Sequence, residues 1–283
     1  QFKSADILLG NGFSINLFEG FTYSILFSSF LNSLTDQKKD LYKCFETVNF
    51  ESILKDLGMV KEVNSKLNID ETKVSEAIEE LRSGLILVIT NGHPKPELIV
   101  QDRIKQIEVS LRQFDAIFTL NYDLFLYYVV LSAKKSFDKG ETRFALSDFF
   151  WAGESSKWRL YDYPITDSRY YPVYYLHGAI FIFNEGFSAK KRIRDPLKSN
   201  LLEAIEQEIT AGEIPLFISE GTATQKRSMI YQNDYLARGF EDFKSSTGNL
   251  VIYGASLLEP DKHIIEAINK RTTNKIAISV HLP

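Results

Sequence analysis

The sequence predicts an α/β protein built on a Rossmann-like, doubly wound parallel sheet of about six strands. Short apolar runs recur along the chain, helical segments separate them, and each run ends in a polar or glycine-rich turn. Buried parallel strands joined by crossover helices produce this pattern. Ligands of such sheets bind beyond the carboxyl ends of the strands. The turns that follow the strands are therefore the expected place of a functional site.

Length and composition exclude several classes of protein. The chain has 283 residues, of which 44% are hydrophobic and 25% charged, as expected for one large domain or one domain with a subdomain. A net charge of −4 argues against a dedicated polyanion-binding surface, so direct nucleic-acid binding is not expected. The single cysteine, Cys44, excludes a disulfide within the chain and a cysteine-built zinc site.

Targeting features point to a protein of the cytoplasm. No apolar run approaches the ~20 residues that span a bilayer, and the start of the chain does not resemble a signal peptide. We therefore expect a cytoplasmic protein without a membrane partner. The chain begins almost directly on a strand and ends just after another, so we expect the natural polypeptide to continue beyond residue 283.

The first strand and its turn have the composition of a phosphate-binding element. The apolar run Ile7–Leu9 predicts a buried strand, Gly10 and Gly12 break it, and an apolar helical segment follows from Phe13 to Leu31. Glycines at such a turn let phosphates approach the backbone, and the next helix favours negative charge. The third glycine of the dinucleotide fingerprint is absent, because Ile15 occupies its place.

Residues 35–112 are predicted to form a helical insertion. Its clearest helix runs from Asp70 to Leu81, and the breaker cluster at 91–96 precedes a further helical segment at 97–113. The main domain would then consist of residues 1–34 and 113–283. The insertion has no predicted catalytic role, and we expect it to serve oligomerisation or docking of another protein.

The remaining elements follow the same alternation of strands and helices. Further strands are predicted at 116–120, 173–176, 214–218, 249–253 and 276–282. Helices are predicted at 122–133, 201–211, 225–245 and 261–269.

Two stretches between these elements have no assigned function. The aromatic segment 136–172 is predicted to be irregular and to serve as a packed loop, a lid or a partner interface. The basic cluster is predicted to be a solvated face; it comprises Lys190, Lys191, Arg192, Arg194 and Lys198.

Polar residues follow most of the predicted strands. The turns contain Gly10–Gly12, Asn121–Asp123, His177–Gly178, Ser219–Gly221 and Gly254–Ser256. Each has a structural interpretation as well, since Asn-x-Asp is a common helix cap and His-Gly a common turn. Asp261 similarly fits the N-cap of the last predicted helix. Three other histidines are expected to be structural or exposed: His93, His263 and His281.

Taken together and in order, these turns resemble the Sir2-like superfamily. Gly10-Asn-Gly-Phe-Ser14 is similar to the Gly-Ala-Gly-Ile-Ser turn of sirtuins, and Thr119-Leu-Asn-Tyr-Asp123 is similar to their Thr-Gln-Asn-Ile-Asp block. His177-Gly178 matches their catalytic His-Gly, and Gly254-Ala-Ser-Leu257 is similar to their Gly-Thr-Ser-Leu. Within the superfamily, the chain resembles the bacterial group catalogued as domain of unknown function DUF4917.

Two departures from sirtuins change what the resemblance implies. No acidic-Phe-Arg segment follows Ser14, and Cys44 alone cannot supply the four-cysteine zinc module of deacylases. The acyl-lysine groove depends partly on that module. The resemblance therefore implies NAD hydrolysis to nicotinamide and ADP-ribose, as in the Sir2-like NADases of bacterial anti-phage defence. NAD is then a substrate, and no zinc or other metal is expected.

The chemistry of that reaction assigns roles to three side chains. Cleavage of the nicotinamide–ribose bond passes through an oxocarbenium-like transition state. Asn121 suits a neutral group that positions water near C1′, and Asp123 suits an acceptor for the carboxamide of nicotinamide. His177, with an unperturbed pKa of ~6.5, suits a base near the ribose hydroxyls.

The resemblance implies the rest of the cofactor site. The pyrophosphate would be bound by the first turn, which contains Gly10, Asn11, Gly12, Phe13 and Ser14. The adenosine ribose would be bordered by Gly254, Ser256 and the segment Ser219–Glu220.

Two alternatives stay open. The chain would bind NAD or ADP-ribose as a sensor without turnover, or it would act as an NAD-dependent protein deacylase. By family analogy alone we expect a homo-oligomer and a regulatory partner, such as an ATPase encoded beside it.

Overall fold

A computed structural model of the chain describes residues 4–94, 99, 101–152, 157–164, 167–193, 200–219, 221–272 and 275–280. The strands are β1 (Ala5–Leu9), β2 (Ile117–Thr119), β3 (Ala145–Ser147), β4 (Phe150–Ala152), β5 (Trp158–Tyr161), β6 (Tyr170–Tyr175), β7 (Gly178–Glu185), β8 (Ser188–Arg192), β9 (Pro215–Phe217), β10 (Asn249–Tyr253) and β11 (Ile276–Ile278). The helices are α1 (Asn11–Leu17), α2 (Tyr23–Asn32), α3 (Asp36–Lys43), α4 (Phe50–Lys66), α5 (Thr72–Gly92), α6 (Gln101–Leu111), α7 (Phe125–Asp138), α8 (Leu201–Thr210), α9 (Ala223–Ile230), α10 (Asp234–Ser245) and α11 (Lys262–Lys270).

The main sheet is the predicted parallel sheet of a Rossmann-like α/β fold. Its six strands lie in the order β11-β10-β1-β2-β6-β3, and every neighbouring pair is parallel. The first strand is central, with Leu8 opposite Ile252 on one side and Phe118 on the other. The chain continues from β1 to β2 on one side and returns through β10 on the other. The crevice beside β1 is thus a topological switch point, where such sheets bind ligands.

A second sheet was not predicted. Its five strands are antiparallel in the order β4-β5-β8-β7-β9. The prediction that 214–218 is a parallel strand of the main sheet was wrong, because β9 pairs antiparallel with β7. The chain enters this sheet directly after His177, where Gly178 adopts a φ of +75°. A short apolar run does not reveal its pairing partner, so its sequence could not distinguish the two sheets.

The aromatic segment and the basic cluster both supply strands. Residues 136–172 contain β3, which takes the sixth place in the main sheet, together with β4, β5 and the start of β6. The predicted solvated face was wrong for Lys191 and Arg192, which are buried in β8. Each has an acidic partner there, Asp148 for Lys191 and Glu208 for Arg192. Arg194 and Lys198 lie outside the described residues.

The helices differ from the predictions mainly at their ends. The predicted helix between Phe13 and Leu31 is divided into α1 and α2 by a 3₁₀ turn at Glu19–Phe21. The helix predicted at 70–81 extends as α5 to Gly92, the second residue of the breaker cluster. Helices α4 and α5 pack against each other, and α5 also packs on α2. None of the helices that the structure describes has the length and apolarity needed to cross a membrane.

Candidate functional site

A cavity of about 1390 Å³ opens at the carboxyl ends of β1, β2, β6 and β10. Eight of the predicted site residues line it, and they come from turns far apart in the chain: Gly10, Asn11, Gly12, Asn121, Asp123, His177, Gly254 and Ser256. Phe13 and Ser14 lie behind the cavity wall and are buried. The sheet therefore brings the predicted turns to one place.

The glycine turn packs directly on the turn after β10. The Gly12 N–H donates to the Gly254 carbonyl (2.8 Å), and the Gly10 N–H donates to the Tyr253 carbonyl (2.9 Å). A Cβ on Gly12 would lie 2.6 Å from Gly254 Cα, and one on Gly10 would lie 2.5 Å from Ala255 Cα. Because no side chain fits at these contacts, the glycines are required by the approach of two backbones.

The same contacts limit which groups can meet a phosphate. The N–H groups of Gly12 and Phe13 donate to carbonyls of the protein, and α1 has only seven residues. The Asn11 side chain donates to the Phe21 carbonyl (3.1 Å) and fixes the 3₁₀ turn at the cavity rim. The first turn therefore forms a wall of the cavity, and most of its N–H groups are not free to bind a phosphate.

Asn121 is held by a buried chain of hydrogen bonds. Its Nδ2 donates to the Gly10 carbonyl (3.0 Å) and to Ser14 Oγ (2.9 Å). Ser14 Oγ in turn donates to Asp123 Oδ2 (2.5 Å), whose other oxygen accepts from the Phe125 N–H (2.8 Å). With both amide hydrogens bound, the Asn121 Oδ1 accepts no hydrogen bond from the described residues and is left for a ligand in the cavity.

Asp123 is a positioning residue in this arrangement. Burial raises the pKa of its carboxyl to about 6, while the bonds from Ser14 and the Phe125 N–H oppose the increase. It accepts from the N–H of Phe125, the first residue of α7, and orients Ser14, which orients Asn121. The contact of Asp123 with nicotinamide stays a prediction. The structure shows a different role, in which Asp123 orients Ser14 and Asn121 by hydrogen bonds.

His177 is paired with a histidine that the sequence did not assign to the site. His177 Nε2 lies 2.9 Å from His263 Nε2, and the His177 side chain is only 1% exposed. Burial lowers the pKa of His177 well below its usual value, with further contributions from His263 and Lys226. Burial also lowers the pKa of His263, to about 3. Both rings are therefore neutral at pH 7. The pKa of His177 is lower than the unperturbed value of ~6.5 used in the sequence analysis.

An ionic cluster surrounds the histidine pair. Lys226 on α9 is fully buried, forms an ion pair with Glu51 and lies 3.8 Å from Asp261 Oδ1. The other oxygen of Glu51 accepts from the Tyr122 hydroxyl (2.8 Å). Burial, with help from Glu51, raises the pKa of Asp261 to about 7, and Lys226 opposes this increase. Tyr122 has a pKa well above its usual value, mainly because it is buried.

The helical insertion forms one wall of the cavity. Asn49, Phe50 and Glu51 come from the start of α4, Leu85 and Ile89 from α5, and Arg103 from α6. The insertion had no predicted catalytic role. Its contribution could not be read from spacing, because Glu51 is one of many acidic residues on amphipathic helices.

One other predicted position, Ser219, is not part of the wall. Ser219 is buried, does not line the cavity, and its Oγ has no hydrogen-bond partner among the described residues. Glu220 lies outside the described residues.

His93 is buried beside α7, where its Nε2 accepts from the Leu124 N–H (3.2 Å), so the structural role predicted for it is confirmed.

One group of side chains has a donor set suited to a metal. The ligand atoms of His177, Asp261 and His263 lie within 4.8 Å of one another. Two imidazoles and a carboxylate bind several transition metals. The buried Lys226 ammonium next to Asp261 opposes a divalent cation at this place.

Comparison with known proteins identifies one family. A family model described as domain of unknown function (DUF4917) matches residues 7–282. No curated protein matches the chain.

Proposed function

The chain belongs to the DUF4917 family, and we propose that it is a Sir2-like NAD glycohydrolase that releases nicotinamide and ADP-ribose. The observation that carries the proposal is the meeting of four separate turns in one cavity. These turns line the cavity together at the switch point of a parallel sheet: Gly10–Gly12, Asn121–Asp123, His177 and Gly254–Ser256.

The size of the cavity supports a dinucleotide. Small-molecule sites usually enclose about 300–1,000 Å³, and this cavity reaches about 1390 Å³. It therefore has room for NAD together with water. Arg103 lines it from the insertion, and we assign this guanidinium to the pyrophosphate because most N–H groups of the first turn are already bound.

Asn121 has the geometry to favour the transition state. The oxocarbenium-like ribose carries developing positive charge at C1′. The bonds to the Gly10 carbonyl and Ser14 fix the amide and aim its unbound Oδ1 away from them. A carbonyl oxygen held in advance stabilises that charge, and it accepts a hydrogen bond from the attacking water.

His177 supplies an acceptor for the proton that this water loses. A neutral imidazole has a free lone pair, and the low pKa of His177 keeps it neutral across the physiological range. The same burial makes the protonated form costly. We therefore assign His177 the role of a base that acts together with its neighbours.

One observation favours a second function. Because His177 is 1% exposed and both Asn121 amide hydrogens are bound within the protein, the cavity also suits a sensor that binds NAD or ADP-ribose without turnover. The Sir2-like resemblance extends the first proposal to a defence effector, in which NAD loss would harm the host cell unless a partner controls it.

The test is nicotinamide release from NAD, followed by chromatography with the full chain. We expect Asn121→Ala and His177→Ala each to lower the rate by a factor of about 100 or more, since each removes a group that acts in the transition state. Asn64→Ala on α4, outside the cavity, is the matched amide control and should keep the wild-type rate. Wild-type rates in both cavity variants would reject the assigned roles. Tight NAD binding in calorimetry without nicotinamide release would favour the sensor.

A further inference from the structure

We propose that His177, His263 and Asp261 form a proton relay: His177 passes the proton accepted during cleavage to His263, beside the Asp261 carboxylate. The inference rests on the proposed NAD hydrolysis and names the residues that complete its base. His263 and Asp261 act through His177 and are positioning residues.

The distance between the two rings defines the protonation state of the pair. Two imidazole nitrogens 2.9 Å apart form a hydrogen bond only if one carries a hydrogen and the other a lone pair. The Nδ1 atoms of both rings are buried and have no hydrogen-bond partner in the described structure, so the contact alone permits either ring to donate. Because His177 lines the cavity and His263 does not, we assign the shared hydrogen to His177 Nε2 and the accepting lone pair to His263 Nε2.

This assignment leaves one atom of His177 able to act as a base. His177 Nδ1 is buried and has no hydrogen-bond partner in the described structure. Leaving a buried polar atom unpaired costs free energy, so such atoms in native proteins call for an explanation. The lone pair on Nδ1 is the acceptor that the reaction requires.

The protons balance along this path. Breaking the C1′–N bond sends its electron pair to neutral nicotinamide, and water forms the new C1′–O bond. The proton lost by that water binds His177 Nδ1, while the His177 Nε2 proton moves to His263 Nε2. His263 then holds the positive charge until the proton returns to solvent.

Asp261 is the group that balances this charge. Its Oδ1 is buried, has no hydrogen-bond partner within the described chain and lies 3.8 Å from Lys226 Nζ. One of its carboxylate oxygens lies in the same cluster as both imidazoles, where a carboxylate stabilises an imidazolium at His263.

The other groups around the relay set the background field. Lys226 disfavours a proton on either histidine, Arg227 does so on His263, and Glu51 pairs with Lys226 and offsets its charge. The phenols of Tyr23 and Tyr122 stay neutral, because burial raises the pKa of each. Asp261 is therefore the carboxylate of this group that can offset an imidazolium at His263.

The first experiment does not depend on turnover. In the full chain labelled with ¹⁵N, an N–H···N bond between the rings produces a scalar coupling between the two Nε2 nuclei. We expect this coupling in the wild type and its loss in His263→Gln, with both rings neutral at pH 7. Absence of the coupling in the folded wild type would overturn the relay whether or not the protein cleaves NAD.

The second experiment separates kcat from KM for nicotinamide release. Asp261→Asn should lower kcat by a factor of about 10–100 with little change in KM, because it removes the charge that offsets an imidazolium at His263. Asp242→Asn on α10, which loses a carboxylate bound to Tyr174 and Arg238, is the matched control and should keep the wild-type kcat.

Three results would contradict the relay. They are an unchanged kcat in Asp261→Asn, an unchanged kcat in His263→Gln, and stoichiometric metal whose removal by a chelator abolishes turnover. If the wild type releases no nicotinamide while the Nε2–Nε2 coupling is present, the proposed function fails and the histidine pair stands.

Discussion

Two buried ionic clusters in this protein are built in opposite ways. In the second sheet, Lys191 places its ammonium between the two oxygens of Asp148, at 2.8 and 2.7 Å, and over the ring of Tyr127. In the cavity, the cluster around His177 and His263 keeps several polar atoms buried without a hydrogen-bond partner among the described residues.

The difference separates stability from function. A buried pair whose atoms are all bonded holds elements together, and Lys191 links β8 to the segment after β3. A buried polar cluster with unbonded atoms costs free energy and persists where a ligand or a proton supplies the missing partner. The contrast predicts that changes in the first cluster reduce stability and changes in the second reduce activity.

The largest expected effect on stability comes from Lys191→Met. Removing the ammonium leaves the Asp148 carboxylate buried and unpaired, and the loss of one partner of such a pair costs about 3–5 kcal/mol. Urea denaturation would measure the free energy of unfolding. Because neither residue lines the cavity, nicotinamide release per folded molecule should stay at the wild-type value.

The double variant Lys191→Met with Asp148→Leu is the control for this comparison. It replaces both charges with apolar groups and should recover most of the lost stability. If it is as unstable as the single variant, or if Lys191→Met lowers the rate of the folded protein, the assignment of a purely structural role is wrong.

A smaller effect on stability is expected at Asp123, which shares features of both clusters. Its oxygens are both bonded, yet burial raises its pKa from 3.8 to about 6. A raised pKa means that the folded state binds the proton more tightly. The stability from Asp123 is then complete below about pH 4 and is lost as pH rises through about 6.

The Asp123→Asn variant isolates this contribution. Between pH 4 and pH 7, the wild type should lose about 2–3 kcal/mol of unfolding free energy relative to the variant, at ~1.4 kcal/mol per unit of pKa. The measurement is chemical denaturation of both proteins at several pH values. A difference between them that does not change with pH would show that the carboxyl titrates as in the unfolded chain.

The sequence predicted the parts of the site that belong to strand ends. Asn121, His177 and Gly254 each follow an apolar run, and parallel strands deliver their carboxyl ends to one edge of a sheet. The order of the turns was therefore enough to predict that they would meet at one cavity.

The rest depends on packing between distant elements. His263 lies on α11 with the spacing of any buried helical residue. Glu51 reaches the cavity only because α4 packs beside the 3₁₀ turn at Glu259–Asp261. Lys191 was predicted to lie on a solvated face because most basic clusters do. Its partner, Asp148, comes from a segment with no regular pattern, so the sequence did not indicate the pair. Side chains whose roles arise from such contacts carry no local signal in a single sequence.

A structure of the His177→Ala variant with NAD bound tests the central claim most directly. We predict density for the dinucleotide in the cavity at the carboxyl ends of β1, β2 and β10. The nicotinamide ribose should lie between Asn121 Oδ1 and the position of the removed imidazole, with the pyrophosphate near Arg103. NAD bound outside this cavity, or bound with C1′ distant from Asn121, would contradict the account.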